Sequence, residues 1–278
     1  MHNKELSILI VNYNGQRYLG DCLASIERCC IGIDYEIIVF DNASEDNSVD
    51  YIKENHPYVK LIENDKNIGF SKGNNIAAKH SSARYILLLN NDTILQSDIC
   101  PVIKIIEQDD TGVVGIKMLG RHFEYRKSAG NFPHPIRLFK LSLLYNTKDG
   151  LRDGYFVDDN KPIVVDWIEG SFLLTKKSIW EKVGGLDESY FMYVEDIDYC
   201  KRVAFLNKKR VYYPNCQYVH FGGYDSGRDD LLKNGLKKYI HKFKKNKVAK
   251  VVNLVSLELN FYFKYVKAGY TKKTKEFR

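Results

Sequence analysis

The chain lacks the short motifs that assign a function quickly. Its six cysteines, Cys22, Cys29, Cys30, Cys100, Cys200 and Cys216, form no CxxC pair, so neither a zinc knuckle nor a dithiol redox motif is written in it. No G-x-G-x-x-G or G-x-x-x-x-G-K-[ST] occurs, which argues against a Rossmann dehydrogenase and a P-loop enzyme. Long apolar runs are missing as well: the first, residues 6–11, has six members, too few for a secretory leader or a membrane span. The expectation is a cytosolic chain with reduced thiols and no disulfide. Proline is scarce, 6 residues in 278, and the 19 glycines are an ordinary load, so collagen and low-complexity disorder are excluded too.

What is present is core material. Hydrophobic residues make up 44% and charged ones 28%, and a folded chain of this size buries roughly 75% of its unfolded surface without cross-links. Charge is unevenly placed. Of 42 Lys plus Arg and 35 Asp plus Glu, residues 233–278 hold 14 and 2, leaving 28 and 33 in the preceding 232. A body of net charge −5 therefore carries a tail of +12.

Up to about residue 116, apolar runs at 6–11, 35–40, 59–62 and 85–89 alternate with helix-spaced stretches such as Leu19, Leu23 and Ile26. This pattern predicts βαβ units and a parallel sheet. In such sheets ligands bind beyond the carboxyl ends of the strands, where the chain places Asn12-Tyr13-Asn14-Gly15, Asp41-Asn42-Ala43-Ser44 and Asn90-Asn91-Asp92. Residues 118–162 lose periodicity and read as one long excursion rather than a second domain. Order returns at 163–175, followed by a short helix over 178–183 closed by Gly184-Gly185. A further helix presents Ile197, Cys200, Val203 and Ala204 on one face, with Glu195, Asp196 and Asp198 in its first turn, where the helix dipole favours carboxylates. A strand pair at 210–213 and 217–219 leads to His220.

Each cluster has a structural and a chemical reading. Gly15 serves a tight turn; Asp41 either caps the next helix or accepts a hydrogen bond from a pyrimidine ring N–H or a ribose hydroxyl. Asp92, at the end of the most apolar strand, is either a surface-turn residue or a hard oxygen ligand for Mg²⁺ or Mn²⁺ against a diphosphate. The carboxylates at 195–198 are either a solvated helix start or the source of a general base.

Taken in order, Asn12-Tyr13-Asn14, FDNASEDNS (40–48), NIGFSKGNN (67–75), LLLNNDT (87–93), EGSFLLTKKSIWEKVGGLDESYFMYVEDIDYCKR (169–202) and His220 resemble the inverting family 2 glycosyltransferases of GT-A fold, in their rhamnosyltransferase-like branch. The resemblance covers residues 5 to about 226. It implies an α/β fold, a Rossmann-like, mostly parallel sheet flanked by helices, over residues 1–230, with a basic helical extension over 231–278. It implies a nucleoside-diphosphate sugar, linked to uridine or thymidine, as donor, and a glycan or lipid-linked acceptor. Tyr13 would stack on the base and Asp41 would take its ring N–H. Asn12, Asn14, Asn42, Asn90 and Asn91 would line the donor site, and the segment with Asn67, Gly69, Phe70, Lys72 and Asn75 would close over the diphosphate sugar. Asp92 and His220 would be the metal ligands. The family's acidic triplet reads Asn-Asn-Asp here, which leaves one carboxylate for the cation. Asp196 would be the catalytic base, Gly170 would leave room for the sugar, and Trp167 and Glu195 would face the acceptor, with a core role for Trp167 equally open.

Two other classes compete. A nucleotidylyltransferase needs a Gly-rich basic loop after the first strand, where this chain offers only Arg17. A polyanion-binding module would use the tail, but the acidic body argues against nucleic acid as a partner. The tail itself has two readings: a surface element on the inner face of the cell membrane, or a helical pair packed on the domain with a solvated lysine face.

Overall fold

A computed structural model of the chain describes residues 4–145, 161–222 and 228–276. Its first part alternates strand and helix: β1 (Leu6–Asn12), α1 (Gln16–Cys29), β2 (Tyr35–Asp41), α2 (Ser48–Asn55), β3 (Lys60–Glu63), α3 (Phe70–Lys79) and β4 (Tyr85–Leu89). All of β4, and all of β1 except Val11, is buried, because helices cover both faces of the sheet and the strands must be apolar throughout. In α1, Leu19, Cys22, Leu23 and Ile26 recur at three- and four-residue spacing and face inward, as an amphipathic helix on a sheet requires.

The chain then runs through β5 (Thr93–Leu95), α4 (Cys100–Glu107), β6 (Thr111–Leu119), β7 (Tyr125–Arg126), β8 (Ala129–Gly130), α5 (Pro135–Phe139), β9 (Ile163–Val165), β10 (Trp167–Ile168), β11 (Phe172–Lys176), α6 (Lys177–Val183), α7 (Glu195–Phe205), β12 (Lys209–His220), α8 (Arg228–Phe243) and α9 (Lys247–Glu276). The main sheet has the order β3-β2-β1-β4-β11-β6-β12-β5. It is parallel from β3 to β4 and between β6 and β12, while β11 and β5 run antiparallel to their neighbours. A GT-A-type mixed α/β architecture, with helices on both sides and a helical C-terminus, is what the chain adopts.

Some local expectations change. The strand pair expected at 210–213 and 217–219 is one strand, β12, whose register shifts between Tyr213 and Gln217; the irregularity accommodates Pro214, which has no N–H for the ladder. The ordered stretch expected at 163–175 is three short strands. The excursion at 118–162 is not featureless either: β7 folds back on β6 through a turn with Phe123 at φ 59, and β8 pairs with β10. Positions 146–160 of that excursion lie outside the described residues.

The core forms one apolar cluster on each face of the sheet. Leu236, Tyr239 and Ile240 of α8 and Leu257 and Phe261 of α9 belong to the same cluster as Leu173, Trp180 and Tyr199. The expected boundary at residue 230 thus falls inside α8, and one face of the basic tail is core. Among the described residues no helix is long and apolar enough to cross a membrane.

Candidate active site

The ends of β1, β2 and β4 meet through their asparagines. Parallel register sets Asn12 beside Asp41, and Asn12 Nδ2 lies within donating distance of Asp41 Oδ1 (2.8 Å), Ser44 Oγ (3.0 Å) and Ser48 Oγ (2.8 Å). Asn91 Nδ2 donates to Asn12 Oδ1 at 2.8 Å. Asp41 is 2% exposed and also accepts from the hydroxyl and amide of Ser44, at 2.6 and 2.9 Å. A carboxylate has about four acceptor positions, so these three bonds leave one. Tyr13 follows half-buried and Asn14 exposed, with Asn14 at φ 50. The Asn14 amide donates to Ser44 Oγ and its Oδ1 accepts from the Glu45 amide, which ties the first two strand-end loops together.

The 67–70 loop is fixed just as tightly. Asn42 Nδ2 donates to Asn67 Oδ1 at 2.8 Å, and Asn42 Oδ1 accepts from the Ile68 amide at 2.8 Å. Gly69 has φ 87, and a Cβ there would lie 2.5 Å from the Phe191 carbonyl oxygen; only glycine satisfies both conditions. The next amide, Phe70, donates to that same carbonyl. Lys72 is exposed on the first turn of α3. Asn75 faces elsewhere. Its side chain is closed onto the Leu186 amide and carbonyl at 2.9 Å each and onto Glu188, so it pins the turn after α6 rather than lining the donor site.

On the other side, β5 returns antiparallel to β12 and pairs Thr93 with His220. His220 Nε2 lies 3.2 Å from Asp92 Oδ1 and 3.2 Å from Asn90 Nδ2, with Nδ1 against the Met118 sulfur. Burial alone would lower the His220 pKa, but the hydrogen bond and charge of Asp92 outweigh it and the net shift is upward. Phe221 stacks on Tyr18 at 4.9 Å, and the Arg121 guanidinium lies over its ring. No group of three or more His, Cys, Asp or Glu able to hold a metal exists among the described residues.

The third wall carries the base candidate. Before α7 the backbone passes through left-handed conformations at Tyr193 (φ 69) and Val194 (φ 75), a strained choice for a β-branched residue and one that collects at functional sites. The turn points Asp196 at Gly170: Oδ2 accepts from the Gly170 amide at 3.1 Å and Oδ1 from the Ile197 amide at 2.7 Å. Burial raises the Asp196 pKa to about 6, against the pull of those amides. A Cβ on Gly170 would sit 3.3 Å from the Phe70 ring and 3.8 Å from Asp196 Cβ, so the three meet at one point.

Two expected acceptor-side residues lie deeper. Trp167 is 2% exposed and donates Nε1 to the Asn131 carbonyl, the core alternative. Glu195 is buried with Oε2 unpaired, and burial together with the Asp196 charge holds its pKa well above the carboxylate range. Glu169 carries no motif signal of its own in the sequence. Burial raises its pKa to about 7, with the charges of Asp196 and Asp92 adding to the rise and those of His220 and Arg228 opposing it. The one available signal was its position directly before Gly170.

The tail supports this wall. Gly235 of α8 packs so closely on the strained turn that a Cβ would lie 2.9 Å from the Tyr193 oxygen and 2.8 Å from Val194 Cγ2. Lys242 bridges Asp187 (2.6 Å) and the fully buried Asp198 (2.7 Å), which Arg202 also holds.

Comparison with known proteins bears on the family and the fold. The model of the family described as Glycosyl transferase family 2 matches residues 7–164. The rhamnosyltransferase WbbL of Escherichia coli is 27% identical over 79% of this chain and 84% of its own length. The low-salt glycan biosynthesis hexosyltransferase Agl10 of Haloferax volcanii is also 27% identical, over 77% of this chain and 66% of its own. Among solved structures, the mannosyltransferase PcManGT of Pyrobaculum calidifontis, in complex with GDP-Man and Mn2+, superposes with a TM-score of 0.64 at 12% identity, over 97% of this chain and 76% of that one. GalNAc-T7 with UDP, GalNAc and Mn2+ gives 0.65 at 16%, over 85% and 47%; at such identities the likeness is one of fold. With more than half of its residues matched by the family model, the chain belongs to glycosyl transferase family 2.

Proposed function

We propose that this glycosyltransferase moves a sugar, with rhamnose the first candidate, from a uridine or thymidine diphosphate to a hydroxyl of a glycan or lipid-linked acceptor of a surface polysaccharide, with inversion. The observation that carries the reading is Asp196: a carboxylate aimed by two backbone amides, with a pKa of about 6, at the junction of Gly170 and Phe70. It is ionised at neutral pH yet basic enough to take a proton. Asp196 accepts the acceptor hydroxyl proton while that oxygen bonds to the anomeric carbon. The bond from that carbon to the diphosphate breaks on the opposite side, and its electron pair leaves with the diphosphate oxygen. A single displacement inverts the centre.

Asp41, with one acceptor position left, would take the pyrimidine N–H, and Tyr13 would cover the ring. Asn67, Gly69 and Phe70, locked to Asn42 and Phe191, would present a rigid edge to the sugar diphosphate, with Lys72 free to reach it. One carboxylate and one imidazole, with the Asn90 amide beside them, fit Mg²⁺ or Mn²⁺ only as a partial ligand set that diphosphate oxygens complete. A cation held by Asp92 and His220 would supply charge stabilisation for the leaving diphosphate.

The test uses the purified full chain with a panel of uridine, thymidine and guanosine diphosphate sugars, reading thermal protection and nucleoside diphosphate release. Uridine or thymidine diphosphate should protect at least tenfold more tightly than guanosine diphosphate. Equal protection by the guanosine compound would remove the pyrimidine reading, and no release from any donor would remove transfer itself.

A further inference from the structure

Helix α9 is apolar on two opposite sides. At 100° per residue, Asn253, Leu257 and Phe261 fall on one face, and all three are buried against the domain. Val248, Val252, Val255, Leu259, Tyr262 and Val266 fall on the other. All six are exposed, Val248 by 72% and Tyr262 by 62%. The packed face already accounts for the helix's place in the fold, and the second stripe stays exposed among the described residues. It runs over 19 residues, 248–266, about 27 Å from first to last at 1.5 Å rise per residue, and it continues sideways. Phe263 meets Phe139 of α5 edge-on at 6.1 Å, and Phe139 and Ile136 are themselves exposed.

Charge around the stripe is predominantly positive, Glu258 and Glu276 being the acidic residues of α9. Lys244, Lys245 and Lys247 precede it, Lys267, Lys272, Lys273 and Lys275 follow it in the same helix, and Lys140 lies exposed at the end of α5. The one acidic residue within the stripe's length, Glu258, is closed onto Lys233 and Lys237 of α8 at 2.7 and 2.6 Å. We infer that this face docks on an anionic bilayer, with the exposed stripe of α9 and the tip of α5 at the boundary of headgroups and acyl chains and the lysines among the headgroups.

The charge pattern decides between a bilayer and a second copy. In a two-fold dimer the same patch meets itself, and both ends of α9 are basic, so parallel and antiparallel pairings alike set lysines against lysines. An anionic surface is complementary to both ends at once. An apolar stripe flanked by cations, in a helix that cannot span, is the surface-lying pattern. The docked helix is also tied to chemistry, because α8, to which Glu258 anchors α9, packs on the turn that carries Asp196. The inference rests on the surface of α9 and not on the donor or acceptor proposed above.

The experiment is flotation of the full chain with vesicles of phosphatidylcholine alone or with 30 to 40% phosphatidylglycerol, at low and physiological salt. Val255→Asp with Leu259→Asp is the test variant, since both side chains are exposed and leave the buried face intact. A second variant replaces Lys245 and Lys247 by Gln. Nucleoside diphosphate binding by each variant reports an intact fold and separates failure here from failure of the transferase reading. The expected result is flotation with anionic vesicles only, weakened at least tenfold in the Asp variant and severalfold in the Gln variant, with nucleotide binding unchanged. Failure of the wild type to float with anionic vesicles, or flotation of the Asp variant equal to wild type, overturns the inference. So does a wild-type dimer in sedimentation velocity that the Asp substitutions dissociate, which would assign the stripe to a second copy.

Discussion

Replacing Asp196 by Asn should lower activity and relieve the fold at the same pH. Inside the protein the carboxyl pKa rises from 3.8 to about 6, chiefly through burial. At 1.36 kcal/mol per tenfold, keeping this group ionised costs about 3 kcal/mol. The side chain opens partly to the cleft, so screening by water reduces the figure to about 1–2 kcal/mol. Asn has one acceptor oxygen in place of two, so either the Gly170 or the Ile197 amide loses its partner, at about 1 kcal/mol. Because the folded state binds the extra proton between pH 4 and pH 6, wild-type stability falls as pH rises through that window, and the Asn variant lacks this slope. The variant should therefore be less stable than wild type near pH 4 and equal or more stable at pH 8, a swing of about 1–2 kcal/mol readable by urea denaturation at the two pH values. Turnover should drop by about 10²–10⁴-fold, the usual loss for a general base, with nucleotide binding retained. The wild-type rate should rise with pH through about 6, as Asp196 ionises. A variant with more than about a tenth of wild-type turnover would refute the base assignment, and an unchanged stability slope would refute the burial argument.

Three further outcomes follow from the same geometry. Gly235→Ala should gain about 1 kcal/mol of helix propensity yet lose turnover severalfold, because the new Cβ presses on Tyr193 and Val194; kcat with donor binding as control checks it, and unchanged kcat would show that the turn yields. Lys242→Met removes a cation from Asp187 and the buried Asp198 and should destabilise by about 1–3 kcal/mol at pH 7. Asp187 titrates at about 2 in the fold, so its stabilisation is present above pH 4 and lost as pH falls through 2; urea curves should show a smaller deficit at pH 3 than at pH 7. Asp92→Ala and His220→Ala should each cut activity at least tenfold and raise the Mn²⁺ concentration needed for half-maximal rate, whereas full wild-type activity in excess chelator would show that neither residue serves a cation.

The strand and helix alternation is legible in the residues alone, because strands covered on both faces must be continuously apolar and helices between them must carry one apolar stripe. The strand-end clusters are legible too, since polar residues immediately after such runs have nowhere to go but the sheet's open edge. Asp196 was legible as the second residue of a helix whose first turn is acidic. Other properties depended on distances the sequence does not contain. Asn75 looks like a site residue along the chain and Trp167 like a site or a core residue equally, and only the fold closes one on Leu186 and the other on Asn131, partners 111 and 36 positions away. Glu169 looks unremarkable until the fold half-buries it within reach of the charges of Asp196 and His220. The register shift in β12, the left-handed turn at 193–194 and its support by Gly235 are products of packing between segments that no local pattern couples. The tail shows the division most clearly: its lysines and apolar residues were countable from the sequence, but only the folded chain decided which face of α9 is core and which is left to meet a surface.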